Sequence, residues 1–577
     1  MHSPPTQSNL RSTFSRMAIA GALLFGGFAS LIQEPASAQA DALLSVSSVM
    51  PKDTLVYGET KLDSTSDQFV QLDALLTRLG SDESLSEAIS DEADFTDDIN
   101  LDLEGAEVGI GFRPSAFETA TNAVAEISTS DLGSIGSDAE DAADDASTDG
   151  MILVVKPVDI SSVASDLKTS TEVTRHSTHA DIEIYSDDSD GFVAVVGDFV
   201  VLATTVEDIE AVIDTADNAA DSLASVDTLA QASGLLPQER VAFAWSNNTA
   251  AIELAATSSK GMADGVRDIF SNYEGVSAMA IVATEVGLRF DEVNIPAGAP
   301  AQASGTADTL DFATKVPANT VLFANGNELG QTVVLKSVGL FLSSLIVGVT
   351  SEMAPGDATA TPVAVSVDDA YAQLESLLGF NFKTDFMDQM TGPYGFALWN
   401  LDANNPAKIA AVLTSQVDTP DKVDNTISTV VNLIQLAGQG SLSVTSHTVP
   451  GGSLNNILAP VDGDSISIDF GLIGDQFVLG IGDGAETALT GATDSLADSD
   501  VFKTAMSELP TEYQAIYFAN VQELQAASED SGMMGSGNLL DEITSQQAAS
   551  NNAVESFAAV TYVKDGATFT SAIIIVK

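Results

Sequence analysis

A proline-led stretch of one shape occurs four times along the chain: "PKDTLVYGE" (51–59), "PQERVAFAW" (237–245), "PANTVLFAN" (317–325) and "PTEYQAIYF" (510–518). Proline has no N–H to give to a ladder, so it reads as the opening residue of a strand. A polar residue follows two positions on: Asp53, Glu239, Asn319 or Glu512. Apolar residues then fall at every second position. They are Leu55 and Tyr57; Val241, Phe243 and Trp245; Val321 and Phe323; and Ile516 and Phe518. A period of two marks a strand with one buried face.

Other features recur in the same order around these strands. "FVAVVGDFVVLAT" (192–204) matches "DFGLIGDQFVLGIG" (469–482), and each reads as a hairpin turning at Gly-Asp. Gly197 and Gly474 suit that turn because glycine tolerates positive φ. A helix follows each hairpin, with capping-box spacing at Thr204 and Glu207 and again at Asp483 and Glu486. "FTDDINLDLEGAEVGIGF" (95–112) matches "FKTDFMDQMTGPYGFALW" (382–399), each a short helix, a turn and a strand. "MILVVKPVD" (151–159) matches "KIAAVLTSQVD" (408–418), and strands close each half at 276–295 and 557–576. The expected order in each half is strand, helix, helix, strand, strand, helix, hairpin, helix, proline-strand, hairpin. Hairpins outnumber crossovers, so the expected class is α+β: two similar halves from an internal duplication, each a mostly antiparallel sheet with packed helices. The halves are 41–295 and 311–577, joined by an Ala/Pro/Gly/Ser-rich linker over 296–310.

A chain of 577 residues with 45% hydrophobic content is long enough for two such cores. It carries 83 acidic against 21 basic residues, a formal net charge of −62. That surface repels nucleic acid and favours cations, basic partners or simple solvation. With no cysteine, disulfides, thiolate nucleophiles, Cys-ligated metals and a lipidated cysteine are all excluded.

The first 40 residues read as a signal peptide. Arg11 and Arg16 precede the apolar run "MAIAGALLFGGFASLI" (17–32), and "AQA" at 38–40 places cleavage after Ala40. The expectation is export to the periplasm, cell surface or medium, with no stable membrane span after cleavage. Residues 131–150 read as an acidic disordered loop and 351–365 as a second loop. A helix then begins at Ser366 and Asp369 and places Ala370, Leu374, Leu377 and Leu378 on one face.

These patterns carry a family resemblance. "MPKDTLVYGETKLD" (50–63), "LDALLTRLG" (72–80), "FTDDINLDLEGAEVGIGF" and "GFVAVVGDFVVLATTVEDIEAVID" (191–214) together resemble an exported, uncharacterised bacterial family, the domain-of-unknown-function family 3352. The resemblance covers nearly all of the mature chain. It implies export and a two-part α+β fold, and it implies no activity.

The search for chemistry yields no catalytic, cofactor or metal site. His176 and His179 stand three apart with Asp181 beside them, in what reads as a surface turn. His447 reads as an isolated strand-end residue. No Gly-x-Ser-x-Gly elbow, phosphate loop or dinucleotide fingerprint is present. The loops "DDSDG" (187–191), "DGDS" (462–465) and "LDANN" (401–405) offer hard oxygen ligands without completing an EF-hand, which suggests loose divalent-cation binding. The segment "TVVLKSVGLFLSSLIVGVTSEM" (332–353) is apolar on nearly every side. It suits a central buried helix, a surface for an apolar ligand, membrane or protein partner, or a membrane span. The leading functional expectation is a non-catalytic binding or structural module of the envelope or medium. The rivals are a carrier of lipid or another apolar ligand using the 332–353 helix, and a carboxylate-dependent hydrolase.

Overall fold

The structure is a computed structural model. It describes residues 43–79, 103–117, 150–170, 173–186, 191–258, 267, 274–301, 309–327, 329, 375, 381–401, 408–437, 444–461, 464–531 and 553–577. The signal segment, the acidic loop up to 149, the apolar segment 332–353, the loop 351–365 and most of the helix after Ser366 lie outside the described residues.

The chain divides into two compact units. The first takes the described residues up to Ala301 together with Val563–Ser571 and Val576–Lys577; the second takes the remainder. Every strand pairing in either unit for which a register is defined is antiparallel. With the helices, this makes the class α+β.

In the first unit the strands are β1 (Val56–Lys61), β2 (Glu107–Phe112), β3 (Met151–Lys156), β4 (Thr174–His179), β5 (Ile182–Ser186), β6 (Phe192–Val196), β7 (Phe199–Ala203), β8 (Ala242–Ser246), β9 (Gly275–Ala283) and β10 (Gly287–Pro296). They lie side by side in the order β4-β5-β6-β7-β3-β2-β1-β8-β9-β10. Its helices are α1 (Asp67–Arg78), α2 (Ile160–Thr169), α3 (Val206–Asp217), α4 (Asp227–Leu235) and α5 (Asn248–Ser258). Helix α2 seals one face through Val163 and Leu167, which join Leu153, Val155, Val193, Val200 and Leu202 in one buried cluster.

The second unit opens with α6 (Thr309–Ala313) and β11 (Thr320–Asn327). It continues through α7 (Phe382–Asp385), β12 (Pro393–Trp399), β13 (Ala410–Gln416), α8 (Pro420–Ala437), β14 (Val444–Val449), β15 (Gly452–Val461), β16 (Asp464–Ile473) and β17 (Gln476–Ile481). It closes with α9 (Gly484–Thr490), α10 (Asp500–Ser507), β18 (Ala515–Asn520), α11 (Val521–Ser531) and β19 (Val554–Lys564). The strand order is β14-β15-β16-β17-β13-β12-β11-β18-β19. The last strand is β20 (Ala567–Val576). Helix α8 packs Val423 and Ile427 against Tyr394, Phe470 and Phe477.

Several expectations need correction. The prolines do not open the strands. Pro51 and Pro317 stand outside β1 and β11 and make isolated bridges, to Ser222 and Ser495. Each proline carbonyl instead accepts from a threonine three residues on. Thr54 gives its N–H at 3.1 Å and its hydroxyl at 2.7 Å; Thr320 gives 3.1 Å and 2.6 Å. The proline therefore shapes a turn that aims the chain into the sheet. The expected single hairpin is a four-stranded meander in each unit, β4–β7 and β14–β17. Its outer strand "TRHSTH" is mostly exposed, so it carries no apolar period to read. The cap of α3 is Thr205, whose hydroxyl accepts from the Asp208 N–H at 3.2 Å, one residue beyond the expected Thr204. Asp483 occupies the cap position of α9 but makes no side-chain cap hydrogen bond.

The Gly-Asp turns fall where expected, with Gly197 at φ +61° and Gly474 at φ +66°, between β6 and β7 and between β16 and β17. Gly109 and Gly395 have a different reason to be glycine. A Cβ on Gly109 would meet Val46 at 2.9 Å, and one on Gly395 would run into the Phe312 ring. Val46 and Phe312 each stand five residues before the bridging proline. Each sits on a short helical segment, Ser45–Ser48 or α6, seated against the glycine.

Candidate functional site

A depression of about 620 Å³ opens in the second unit. Six stretches build it. Asn319 lies in the turn into β11 and Val321 on β11, and Asn400 and Leu401 follow β12. Lys408 precedes β13, while Ser465 and Ser467 lie on β16. Gly482 and Asp483 link β17 to α9, and Glu523 comes from α11. The Asn319 side-chain amide donates to Asn400 Oδ1 at 2.9 Å across the rim. Asn400 adopts φ +52°, a backbone position that asparagine tolerates better than most residues.

Behind Ser467 runs a chain of polar groups on three neighbouring strands. The Asn456 amide donates to Ser467 Oγ at 2.5 Å and to Asp469 Oδ1 at 2.9 Å. His447 Nδ1 lies 2.9 Å from the same Asp469 oxygen. Asp469 is 1% exposed and Asn456 8%. Their register explains the alignment: Thr445 faces Asn456, which faces Asp469, which faces Gly480. Gly480 leaves room for Ala485 of α9. A buried polar chain of this kind holds its members in fixed rotamers because each is partnered. His447, expected to be isolated, is thus an oriented member of a network.

In the first unit an arginine bridges two aspartates. Arg113, which follows β2, gives Nε and Nη2 to Asp53 at 3.1 and 2.8 Å and Nη1 to Asp208 at 2.6 Å. Asp208, 3% exposed at its side chain, also accepts from Thr205 Oγ1 at 2.7 Å and the Gly150 N–H at 3.1 Å. Burial lowers the Arg113 pKa, but the hydrogen bonds and charges of Asp53 and Asp208 outweigh it and hold the pKa above its ordinary value.

The other histidines are not brought together as a metal site. His176 lies at an irregularity in β4 and packs edge-on to Phe192. His179 ends β4 with Nε2 2.7 Å from Asp214 and Nδ1 3.5 Å from Glu210, both on α3. The Asp214 hydrogen bond raises the His179 pKa. The expected surface turn is instead the end of a strand, and Ala180 and Asp181 make the turn. Among the described residues no three His, Asp or Glu side chains are placed to share a metal. Of the oxygen-rich loops, Leu401 and Ser465 reach the depression, while 187–190, 402–405 and 462–463 lie outside the described residues. No helix among the described residues is long and apolar enough to cross a membrane.

The sequence reading passed over two buried charged groups. Glu59 accepts from Tyr57 Oη at 2.8 Å, the Leu44 N–H at 3.1 Å and Arg240 Nη2 at 3.4 Å. Burial pushes the Glu59 pKa up and the Arg240 pKa down, against the pull of their pairing. Glu292 on β10 is 7% exposed, and burial alone pushes its pKa well above the usual carboxylate range. One signal existed: Glu59 falls in phase with Leu55 and Tyr57, on the face that alternation assigns to the core.

No functionally curated protein matches the chain. Among solved structures it resembles two crystal forms of TP0453. They show 9% and 8% identity and TM-scores of 0.23 and 0.20, with 45% of this chain and 84% and 82% of theirs covered. Likeness at that level defines neither fold nor function. A family model described as "protein of unknown function (DUF3352)" matches residues 17–575. With nearly the whole chain matched, the protein belongs to that family.

Proposed function

We propose that this is an exported, non-catalytic binding protein built from a duplicated α+β half, with its ligand site in the depression of the second unit. Several matched features support the duplication. The two strand orders correspond from β4/β14 to β9/β19, and Pro51 and Pro317 make like bridges and accept like threonine hydrogen bonds. Gly197 and Gly474 turn like hairpins. Matched features agreeing in order are hard to obtain by chance, and turn residues count for more than valines because backbone geometry selects them.

The observation that carries binding over catalysis is the setting of Ser467. Its neighbour is the Asn456 amide, a donor that cannot take a proton. His447, the nearby base, is turned to Asp469 and not to the serine. A nucleophile needs a base within reach of its own proton, so the serine is arranged to hold a ligand hydroxyl or amide.

Native mass spectrometry of the chain purified from the envelope or medium of an expressing bacterium tests the reading. The expected mass begins at Asp41 and carries a small-molecule adduct that is lost on denaturation. A mass that includes residues before Ala38 overturns cleavage after Ala40. A bare chain that also binds nothing from a panel of small polar solutes overturns the binding role.

A further inference from the structure

The two units treat the same corner differently. In the first, three elements meet there: the residue two past the bridging proline, the residue after the second strand, and the cap of the helix after the Gly-Asp hairpin. These are Asp53, Arg113 and Thr205, and the Arg113 guanidinium fills the space between Asp53 and Asp208. In the second unit the register places Trp399 where Arg113 stands, since Val56 faces Phe112 as Leu322 faces Leu398. Trp399 is 1% exposed and turned into the core. Asn319 replaces Asp53, and the cap is Asp483. In the second unit the matching positions Asn319 and Asp483 line the open depression.

We propose that this depression binds a guanidinium group, held between Asp483 and Glu523, as a small-molecule cation or as the arginine side chain of a peptide. The proposal rests on the binding role proposed above and adds the ligand class. A planar guanidinium presents five donors in a fixed fork. Asp483, Glu523, Ser465 and Ser467 line the depression and supply two carboxylates and two hydroxyls. Asn319 also lines it, with its amide donated to Asn400 Oδ1. Asp483 is not engaged in capping α9, unlike Thr205 in the first unit. Lys408 also lines the depression, and its charge leaves the three charged lining residues with one net negative charge. The third residue of α9, Glu486, does not line the site, so Glu523 takes the part that Asp208 plays in the first unit. The net charge of −62 raises the local concentration of any cation.

Isothermal titration of the full mature chain tests this with L-arginine, methylguanidinium, a blocked arginine tripeptide, and citrulline as the neutral isostere. One saturable site for the guanidinium compounds is expected, weakened by salt, with citrulline bound at least roughly fivefold more weakly. Tighter binding of the free amino acid identifies a small-molecule ligand, and tighter binding of the blocked tripeptide identifies a peptide. The double variant Asp483→Asn/Glu523→Gln should weaken binding roughly fivefold or more with its melting temperature unchanged. Arg113→Ala should open the first unit's corner and raise the stoichiometry from one to two. Should that variant fail to fold, the double variant and citrulline still decide the matter. Citrulline binding as tightly as arginine overturns the guanidinium assignment and leaves the binding role standing. Binding of no polar solute at all overturns both.

Discussion

Replacing Arg240 by methionine should cost the first unit about 3–5 kcal/mol at neutral pH, the range for stranding one partner of a buried ion pair. The side chains of Arg240 and Glu59 are 7% and 2% exposed, and they meet at 3.4 Å with the guanidinium 4.3 Å from the centre of the Phe243 ring. Burial dominates both groups, raising the Glu59 pKa and lowering that of Arg240. The pair is therefore poorly compensated even when intact. Methionine keeps the apolar stem over Phe243 and deletes the charge, leaving a buried carboxylate with Tyr57 and the Leu44 N–H alone. Because the folded Glu59 pKa lies above its unfolded value, its proton-linked stabilisation is fully present in acid and is lost as pH rises through the folded pKa. Removing Arg240 raises that pKa further, so the deficit should grow between pH 5 and pH 8. Adding Glu59→Leu should recover most of it. Urea denaturation at both pH values measures the effect, and a loss below about 1 kcal/mol at pH 8 would show that the pair carries no buried charge.

The second large effect concerns Glu292. It faces Met279 across β9 and β10, is 7% exposed, and nothing offsets the burial that raises its pKa. The sign is again that of a raised carboxyl. Stability from the protonated form is complete below the unfolded value of about 4.3 and is lost as pH rises toward and through the folded value. The first unit should therefore become less stable from mild acid to neutral pH, opposite to ordinary acid denaturation. Glu292→Gln removes this component. It should leave stability unchanged near pH 4 and raise it at pH 8 by on the order of 1–4 kcal/mol, as buried ions replaced by uncharged groups do. The residual slope belongs to Glu59. A variant less stable than the parent at pH 8 would mean that the carboxylate has a partner.

The α+β class was legible because hairpin turns and alternating strands are local signals. Gly197 and Gly474 mark their turns through φ, and Phe243 and Trp245 mark a buried face through period two. The meander's outer strand was not legible, because an edge strand exposed on both faces needs no apolar period. The proline-led motif was recognised as a repeat and misread as a strand start. A turn that uses the proline carbonyl, not its missing N–H, looks the same in sequence. The site was mostly illegible. His447, Asn456, Asp469 and Ser467 are spread over 23 residues and meet only because two hairpins stack them across one sheet. Arg113, Asp53 and Asp208 are far apart in sequence and owe their meeting to the sheet order. Loops at 401 and 465 were singled out for their oxygen atoms, and the described ends of both reach the depression. In such an acidic chain, composition alone could not separate them from the other acidic loops.

The most direct measurement is a crystal structure of the mature chain grown with L-arginine. A guanidinium should be ordered between Asp483 and Glu523 in the second unit, with Arg113 still bridging Asp53 and Asp208 in the first. A depression closed by the chain's own side chains, or an Arg113 turned away from both carboxylates, would contradict the filled-and-open relation of the two corners.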